Sequence, residues 1–252
     1  MKLGGRTQSD PALPAALVAL SRATPSGVVI VHGGGDQISH LQRLRGEEPT
    51  FVGGRRVTTD TALELVRMVL SGLANKQLVS VLSAAGASAV GISGEDASML
   101  RAVPIDRATF GHSGSPASVD TRLLTVLLAH GFLPVVSPVA THADATIGGA
   151  LNVNGDDAAA AIAAALSATE LFLLADVPGV LDANKQRIEL LSLDDANALV
   201  AAGVAGGGMA AKLDACAVAL ANGVQRVRIG DLAALSVPNA GTSIIAPISV
   251  SV

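Results

Sequence analysis

Short β-branched runs alternate along the chain with longer stretches whose apolar residues recur at helical spacing. Val28–Val31 (VVIV) predicts a buried strand, and GGGDQ follows it directly. Residues 60–85 predict a helix, with Leu63, Val66, Leu70 and Leu73 on one face. Thr61 and Glu64 have capping-box spacing there, and Gly86 fits a C-terminal stop. SAVGIS reads as a strand, TRLLTVLLAHG as a helix closed by Gly131, and FLPVVSP as the next strand. The Ala-rich NGDDAAAAIAAALSA predicts a helix leading into a strand at Leu171–Asp176. AGGGMAAKLDACAVALANG predicts the last long helix, followed by the strand VQRVRIG. This alternation predicts an α/β fold, with a mostly parallel sheet covered on both faces. TFVGGRRVTT and residues 101–118 are rich in Gly, Pro and charge. They read as hairpins or loops over the carboxyl ends of the strands, where open sheets of this kind bind ligands. A lobe boundary near Ser167–Glu170 divides the chain into residues 1–168 and 169–252.

Composition narrows the class. Half of the 252 residues are hydrophobic, and the mean hydropathy is +0.51. The excess comes from Ala, Val and Leu, with no Trp and no Tyr. No uninterrupted apolar run reaches the roughly 18 residues that a spanning helix needs. The first ten residues lack the apolar stretch of a secretory signal. Cys216 is the single cysteine, which suits a reducing compartment. A net charge of -4 and the lack of a Lys/Arg tract argue against a nucleic-acid surface. The expectation is a cytoplasmic protein with an aliphatic core and neither a membrane nor a nucleic-acid partner.

The candidate chemistry lies in the glycines. In VVIVHGGGDQ a strand runs into three glycines and then a helix, which brings open backbone N–H groups to a helix N-terminus. Open amides and the helix dipole both favour anions there. Neither the dinucleotide fingerprint GxGxxG nor the phosphate loop GxxxxGK[ST] is present, which disfavours a nicotinamide dehydrogenase. At the start of the chain, KLGG places a lysine ahead of a glycine pair, as a phosphate-binding turn would.

In order the chain carries KLGG, VVIVHGGG, GGRRVT, GLANKQL, LNVNGDDAA, LLADVPGVLD and GGGMAAKLDA. This set spans essentially the whole chain and resembles the amino acid kinase family. HGGG together with NVN-x-D points to the branch of that family acting on N-acetylglutamate. The resemblance implies a three-layer αβα sandwich with a mainly parallel central sheet. It also implies phosphoryl transfer from ATP, with Mg²⁺, to the side-chain carboxylate of N-acetyl-L-glutamate, a step of arginine biosynthesis. Residues 1–168 would bind the acyl amino acid and dimerise, and residues 169–252 would bind ATP. A carboxylate nucleophile with a pKa near 4 needs no general base. Catalysis then rests on positioning and charge neutralisation, so His40, His112, His130 and His142 need no role.

By the same resemblance, Lys2 contacts the moving phosphoryl group, Lys212 neutralises the β- and γ-phosphates, and Asp156 organises both lysines. Solvated lysines and a helix-capping aspartate are the competing readings of those three. Gly4, Gly5, Gly34 and Gly35 match the glycines whose amides surround the transferred phosphate, and Gly33 belongs to the same turn. Arg56 matches the arginine gripping the substrate α-carboxylate, with Arg55 as the competing choice; a guanidinium can bind a carboxylate bidentately. Asn152 matches the asparagine at the amino-acid end. Asp176, Gly208 and Met209 would line the nucleotide pocket, and no protein metal-ligand set is expected. Asp182 reads as a hairpin residue and Cys216 as a small core side chain.

Three departures qualify the resemblance. Relatives have about five apolar residues before the KxGG lysine where this chain has Met1, so the expectation is either a true start further upstream or a frayed first strand with a poorly anchored Lys2. Hexameric, arginine-inhibited relatives carry a further N-terminal helix before that point, so an arginine-insensitive homodimer is expected. Phe110–Pro116 departs from the family pattern. The alternative substrates are N-succinylglutamate or a carrier-linked aminoadipate or glutamate. A nucleotide-binding sensor without turnover is the alternative from another class.

Overall fold

The computed structural model describes residues 1–237 and 239–245. The first half runs β1 (Lys2–Leu3), α1 (Leu13–Ala23), β2 (Ile30–His32), α2 (Gly35–Leu44), β3 (Phe51–Val52), β4 (Arg55–Arg56), α3 (Asp60–Val66) and α4 (Asn75–Ala84). Then follow β5 (Ala89–Ser93), β6 (Leu100–Pro104), α5 (Arg107–Phe110), β7 (Ser113–Val119), α6 (Arg122–Ala129), β8 (Leu133–Ser137), β9 (Val139–His142) and β10 (Ala150–Val153). The remainder is α7 (Gly155–Ala165), β11 (Glu170–Leu174), β12 (Leu190–Ser192), α8 (Leu193–Ala201), α9 (Gly207–Ala221), β13 (Arg226–Gly230) and β14 (Thr242–Ile245).

Eight strands form the central sheet in the order β12-β14-β13-β11-β1-β2-β8-β5. Six of them run parallel, while β14 pairs antiparallel with β13 and parallel with β12. Because strand side chains alternate between faces, both faces of this sheet must be apolar to be covered. Leu3, Ile30, Val135, Phe172 and Leu174 pack on one side with Leu13 and Leu17 of α1 and Leu78 and Leu82 of α4. Val31, Val136, Leu171 and Leu173 pack on the other with Leu124 of α6, Ile162 of α7 and Leu213 of α9. The result is the expected αβα sandwich. The segments 101–118 and 139–153 build a separate closed sheet, β10-β7-β6-β9.

The first strand is not frayed. β1 lies in mid-sheet, with Lys2 and Leu3 paired to Val31 and His32 on one side and to Leu173 and Leu174 on the other. Leu3 is fully buried and Lys2 only 8% exposed. Two parallel neighbours hold a two-residue strand that its own length could not.

The helix predicted over residues 60–85 is one rod, Asp60–Ala84, but a π-helical segment, Arg67–Ala74, separates α3 from α4. A π turn takes up more residues than an α turn, so the buried face shifts within the rod. Val69 and Ala74 are buried there, and Leu73, expected on that face, is 48% exposed. The start is also corrected: the cap is Thr59, whose Oγ1 accepts from the Ala62 N–H at 3.1 Å, and not Thr61. Gly86 closes the rod with a φ of +92°. By length and mean hydropathy (1.2) the rod could cross a bilayer. Its side chains Leu65, Val66, Leu78 and Leu82 are instead packed in the core.

Candidate active site

The turns after β1 and β2 and the starts of α2, α7 and α9 converge on one cavity of about 290 Å³ at the carboxyl ends of the central strands. Each helix start presents the positive end of its dipole to that space. Neither Gly34 before α2 nor Gly206 before α9 makes a side-chain cap, so the first amides of both helices remain open to a ligand. α7 is different: the Asn154 carboxamide accepts from the Asp156 N–H at 2.8 Å. That cap releases the Asp156 side chain from the capping role that its position suggested.

Asp156 instead lies between two cations. Its Oδ1 is 3.0 Å from Lys2 Nζ and its Oδ2 is 3.1 Å from Lys212 Nζ. All three side chains are largely buried. Burial pushes the Asp156 carboxyl up, yet the two ammonium groups outweigh it and hold the group below its ordinary value of 3.8. Burial pulls Lys2 below its ordinary 10.5, with Asp156 opposing and Lys212 adding to the shift.

A second cavity, also of about 290 Å³, opens on the far side of this pair and is lined by Lys2, Gly4, Gly5, Thr7, Gly35, Asp36, Ala175, Asp176 and Lys212. The lysine pair therefore borders both cavities. Gly4 and Asp176 face the second one, and Gly5 borders both. Gly33, Gly34, Gly35, Asn152 and Gly208 line the first, which moves Gly208 to the side of Arg56 and Asn152. Met209 lines neither cavity and packs, half buried, against the core. Among the described residues no three His, Cys, Asp or Glu side chains are grouped to hold a metal ion.

Arg55 and Arg56 both line the first cavity, and Arg56 is the one held by α2. Its Nη2 donates to Gly35 O at 2.9 Å and to Ser39 Oγ at 2.8 Å, and its Nη1 donates to Gln42 Oε1. Its guanidinium carbon sits 4.7 Å from the Phe51 ring centre. Burial and Arg43 lower its pKa while Asp36 and Glu47 oppose them; an arginine stays charged regardless. Gly35, Ser39 and Gln42 are spaced i, i+4, i+7 on α2, so a helical reading of that segment contained the cradle although the motif did not. Asn152 Nδ2 donates to Thr58 Oγ1 at 2.9 Å, which orients its amide at the cavity wall. A Cβ on Gly34 would lie 2.7 Å from Leu70 Cδ2, so the Leu70 side chain would have to move to admit one.

The glycine turn has a buried support that motif reading passed over. With its proton on Nδ1, His32 donates to Gly33 O at 3.0 Å and accepts at Nε2 from the Asn75 amide at 3.1 Å. Asn75 also donates to Val135 O at 2.9 Å. Burial lowers the His32 pKa, with Lys76 adding and the Gly33 carbonyl opposing, so the ring is neutral and structural. Ile38, Leu70, Ile105, Ser113 and Gly114 complete the wall of the first cavity, and no motif marked them. Asp182 is a hairpin residue as expected, accepting from the Asn184 and Gln186 amides. Cys216 is buried in the core.

Two lysines sharing one aspartate, ringed by glycine turns and helix N-termini on an αβα sandwich, supply the positive charge and open amides that phosphoryl transfer requires. The chain belongs to the amino acid kinase family, whose sequence profile matches residues 1–231. It is 43% identical over 220 residues to the acetylglutamate kinase of Azorhizobium caulinodans, covering 82% of this chain and 72% of that one. With the acetylglutamate kinase of Bradyrhizobium diazoefficiens it shares 40% identity over 246 residues, 92% of this chain and 82% of the relative. A Streptococcus mutans protein of solved structure superimposes with a TM-score of 0.87 at 28% identity, over 98% of this chain and 97% of that one.

Proposed function

We propose that the protein transfers the γ-phosphoryl group of ATP to the side-chain carboxylate of N-acetyl-L-glutamate, giving N-acetylglutamyl 5-phosphate in arginine biosynthesis. The observation that carries this reading is the Lys2–Asp156–Lys212 group standing between two cavities. The acyl amino acid occupies the first, its α-carboxylate on Arg56 and its amino-acid end near Asn152. The nucleotide occupies the second, beside Gly4, Gly5 and Asp176. The names of the two rhizobial relatives support the same substrate.

The acceptor carboxylate is already ionised at neutral pH, so its oxygen attacks phosphorus without a base. The O–P bond forms as the bond from γ-phosphorus to the bridging oxygen breaks, and ADP leaves with that electron pair. Lys2 meets the charge on the transferred group, and Lys212 meets the charge on the departing β-phosphate. Amides of Gly34 and Gly35 hold the acceptor end in line. Mg²⁺ takes hard oxygen donors; carried on the nucleotide, it would be held from this chain through Asp36 and Asp176 and would neutralise charge on the β- and γ-oxygens. Residues 1–168 are assigned as the acyl-amino-acid lobe and residues 169–252 as the nucleotide lobe; one sheet runs through both at the β1–β11 pairing, and Asp156 meets Lys212 across them. A cytoplasmic setting belongs to this reading.

The test is ADP release by the purified protein with N-acetylglutamate, glutamate, N-succinylglutamate and aminoadipate in parallel. Turnover with N-acetylglutamate is expected, and turnover with another acid alone would overturn the assignment. A homodimer is part of the proposal. Met68, Leu73 and Val81 are exposed along the Asp60–Ala84 rod, beside the edge strand β5. Light scattering should give twice the chain mass, and a monomer at micromolar concentration would refute the dimer.

A further inference from the structure

The hairpin that carries Arg56 is gripped from two sides. β3 and β4 pair through Phe51 with Arg56 and Val52 with Arg55. Gly53 and Gly54 turn between them with φ of 56° and 77°, as a tight two-residue turn requires. A ribbon this short is not stable alone, so its place depends on what its side chains hold. Side chains alternate along a strand. Arg56 turns toward α2, where Gly35, Ser39 and Gln42 accept from it. Arg55 turns the other way and pairs with Asp157 in the first turn of α7. The neighbour of Asp157 is Asp156, which holds the lysine pair. Two consecutive arginines thus meet two helices, and two consecutive aspartates tie the lysines to the hairpin. The Arg55 and Asp157 side chains are 32% and 15% exposed. Burial raises the Asp157 carboxyl above its ordinary value and Arg55 opposes that shift.

We propose that Arg55 is a positioning residue: its ion pair with Asp157 latches the hairpin onto α7 and thereby sets Arg56 over the acyl-amino-acid cavity. The latch closes the hairpin as a strap from α2 to α7. The inference rests on the kinase reading above. Arg55 borders the first cavity as well, whereas Asp157 lines a separate cleft with Pro116 and Val218. Asp157 therefore separates a latch from a direct substrate contact.

The experiment has a kinetic arm and an optical arm. In the kinetic arm, Arg55→Met and Asp157→Asn should each raise KM for N-acetylglutamate about tenfold, the scale of losing a partly buried ion pair. KM for ATP and kcat should stay within about threefold. The double variant should be no worse than either single one, since both remove one contact. In the optical arm, Val52→Trp places the sole tryptophan of an otherwise Trp-free chain on the hairpin. Acrylamide quenching of that tryptophan should rise about twofold when Arg55→Met is added, as for a segment that opens locally. A KM that moves in Arg55→Met but not in Asp157→Asn would overturn the latch, as would unchanged quenching. If no acyl amino acid supports ADP release, the kinase reading fails, and the quenching arm still decides the latch.

Discussion

Lys212→Ala is expected to lower kcat by at least about a hundredfold, the scale of removing one transition-state charge contact. The argument starts from where the ammonium sits. Lys212 Nζ lies 3.1 Å from Asp156 Oδ2 and on the wall of both cavities. In the proposed mechanism its charge meets the negative charge that grows as the β-phosphate departs, and not only the ground-state nucleotide. An interaction that strengthens in the transition state shows in kcat more than in KM. KM for N-acetylglutamate should stay within about threefold, because the proposed acceptor contacts, Arg56 and Asn152, do not depend on Lys212. Steady-state ADP release measures both. A variant with kcat within about threefold of the wild type would remove Lys212 from this role.

Asp156→Asn should be the more damaging change, and to stability as well as to turnover. The carboxylate is 4% exposed and separates two cations. Removing its charge leaves two buried ammonium groups facing each other. Breaking a buried ion pair in this way costs about 3–5 kcal/mol, and kcat should fall by at least about a thousandfold because both lysines lose their positions. The pH dependence carries a signature. The folded-state pKa of Asp156 lies below its ordinary 3.8. Its stabilising contribution is therefore complete above the ordinary carboxylate range and is lost as pH falls through the lower folded value. Chemical denaturation should show the variant less stable at pH 7, with a smaller difference at low pH where the wild type loses the same contribution. Equal stability at pH 7 would show that Asp156 does not hold the lysines.

Reading the sequence placed the central sheet because its strands are apolar on both faces, a run-length signal independent of distant partners. Val28–Val31 and Leu171–Asp176 were legible for that reason. β9 and β10 escaped because they are four residues each and pair only with one another and with β6 and β7. The face of the Asp60–Ala84 rod was misplaced at Leu73 because a π segment breaks the 3.6-residue period that the reading assumed. Within the site, Lys2, Asp156 and Lys212 were legible through the motifs around them, and the distances bring them together. Strand alternation sends Arg56 to α2 and Arg55 to α7, which shows only with both helices in place. Ser39, Gln42 and Asn75 act through partners remote in sequence, so only a helical reading of α2 could have suggested the first two. Met209, carried along with its motif, turned inward because its position on α9 faces the core.

The π segment sets the phase of the rod. Asn75, the residue immediately after it, reaches His32, Ile92 O and Val135 O at once. A helix advances about 100° per residue. Deleting one residue within Arg67–Ala74 would relax the segment toward an α turn and rotate α4 by about that angle relative to α3. The Asn75 amide would then swing away from the imidazole that supports Gly33. Phase, and not composition, is the quantity stored in those eight residues: their number sets the angular offset between α3 and the start of α4, where Asn75 props the glycine turn.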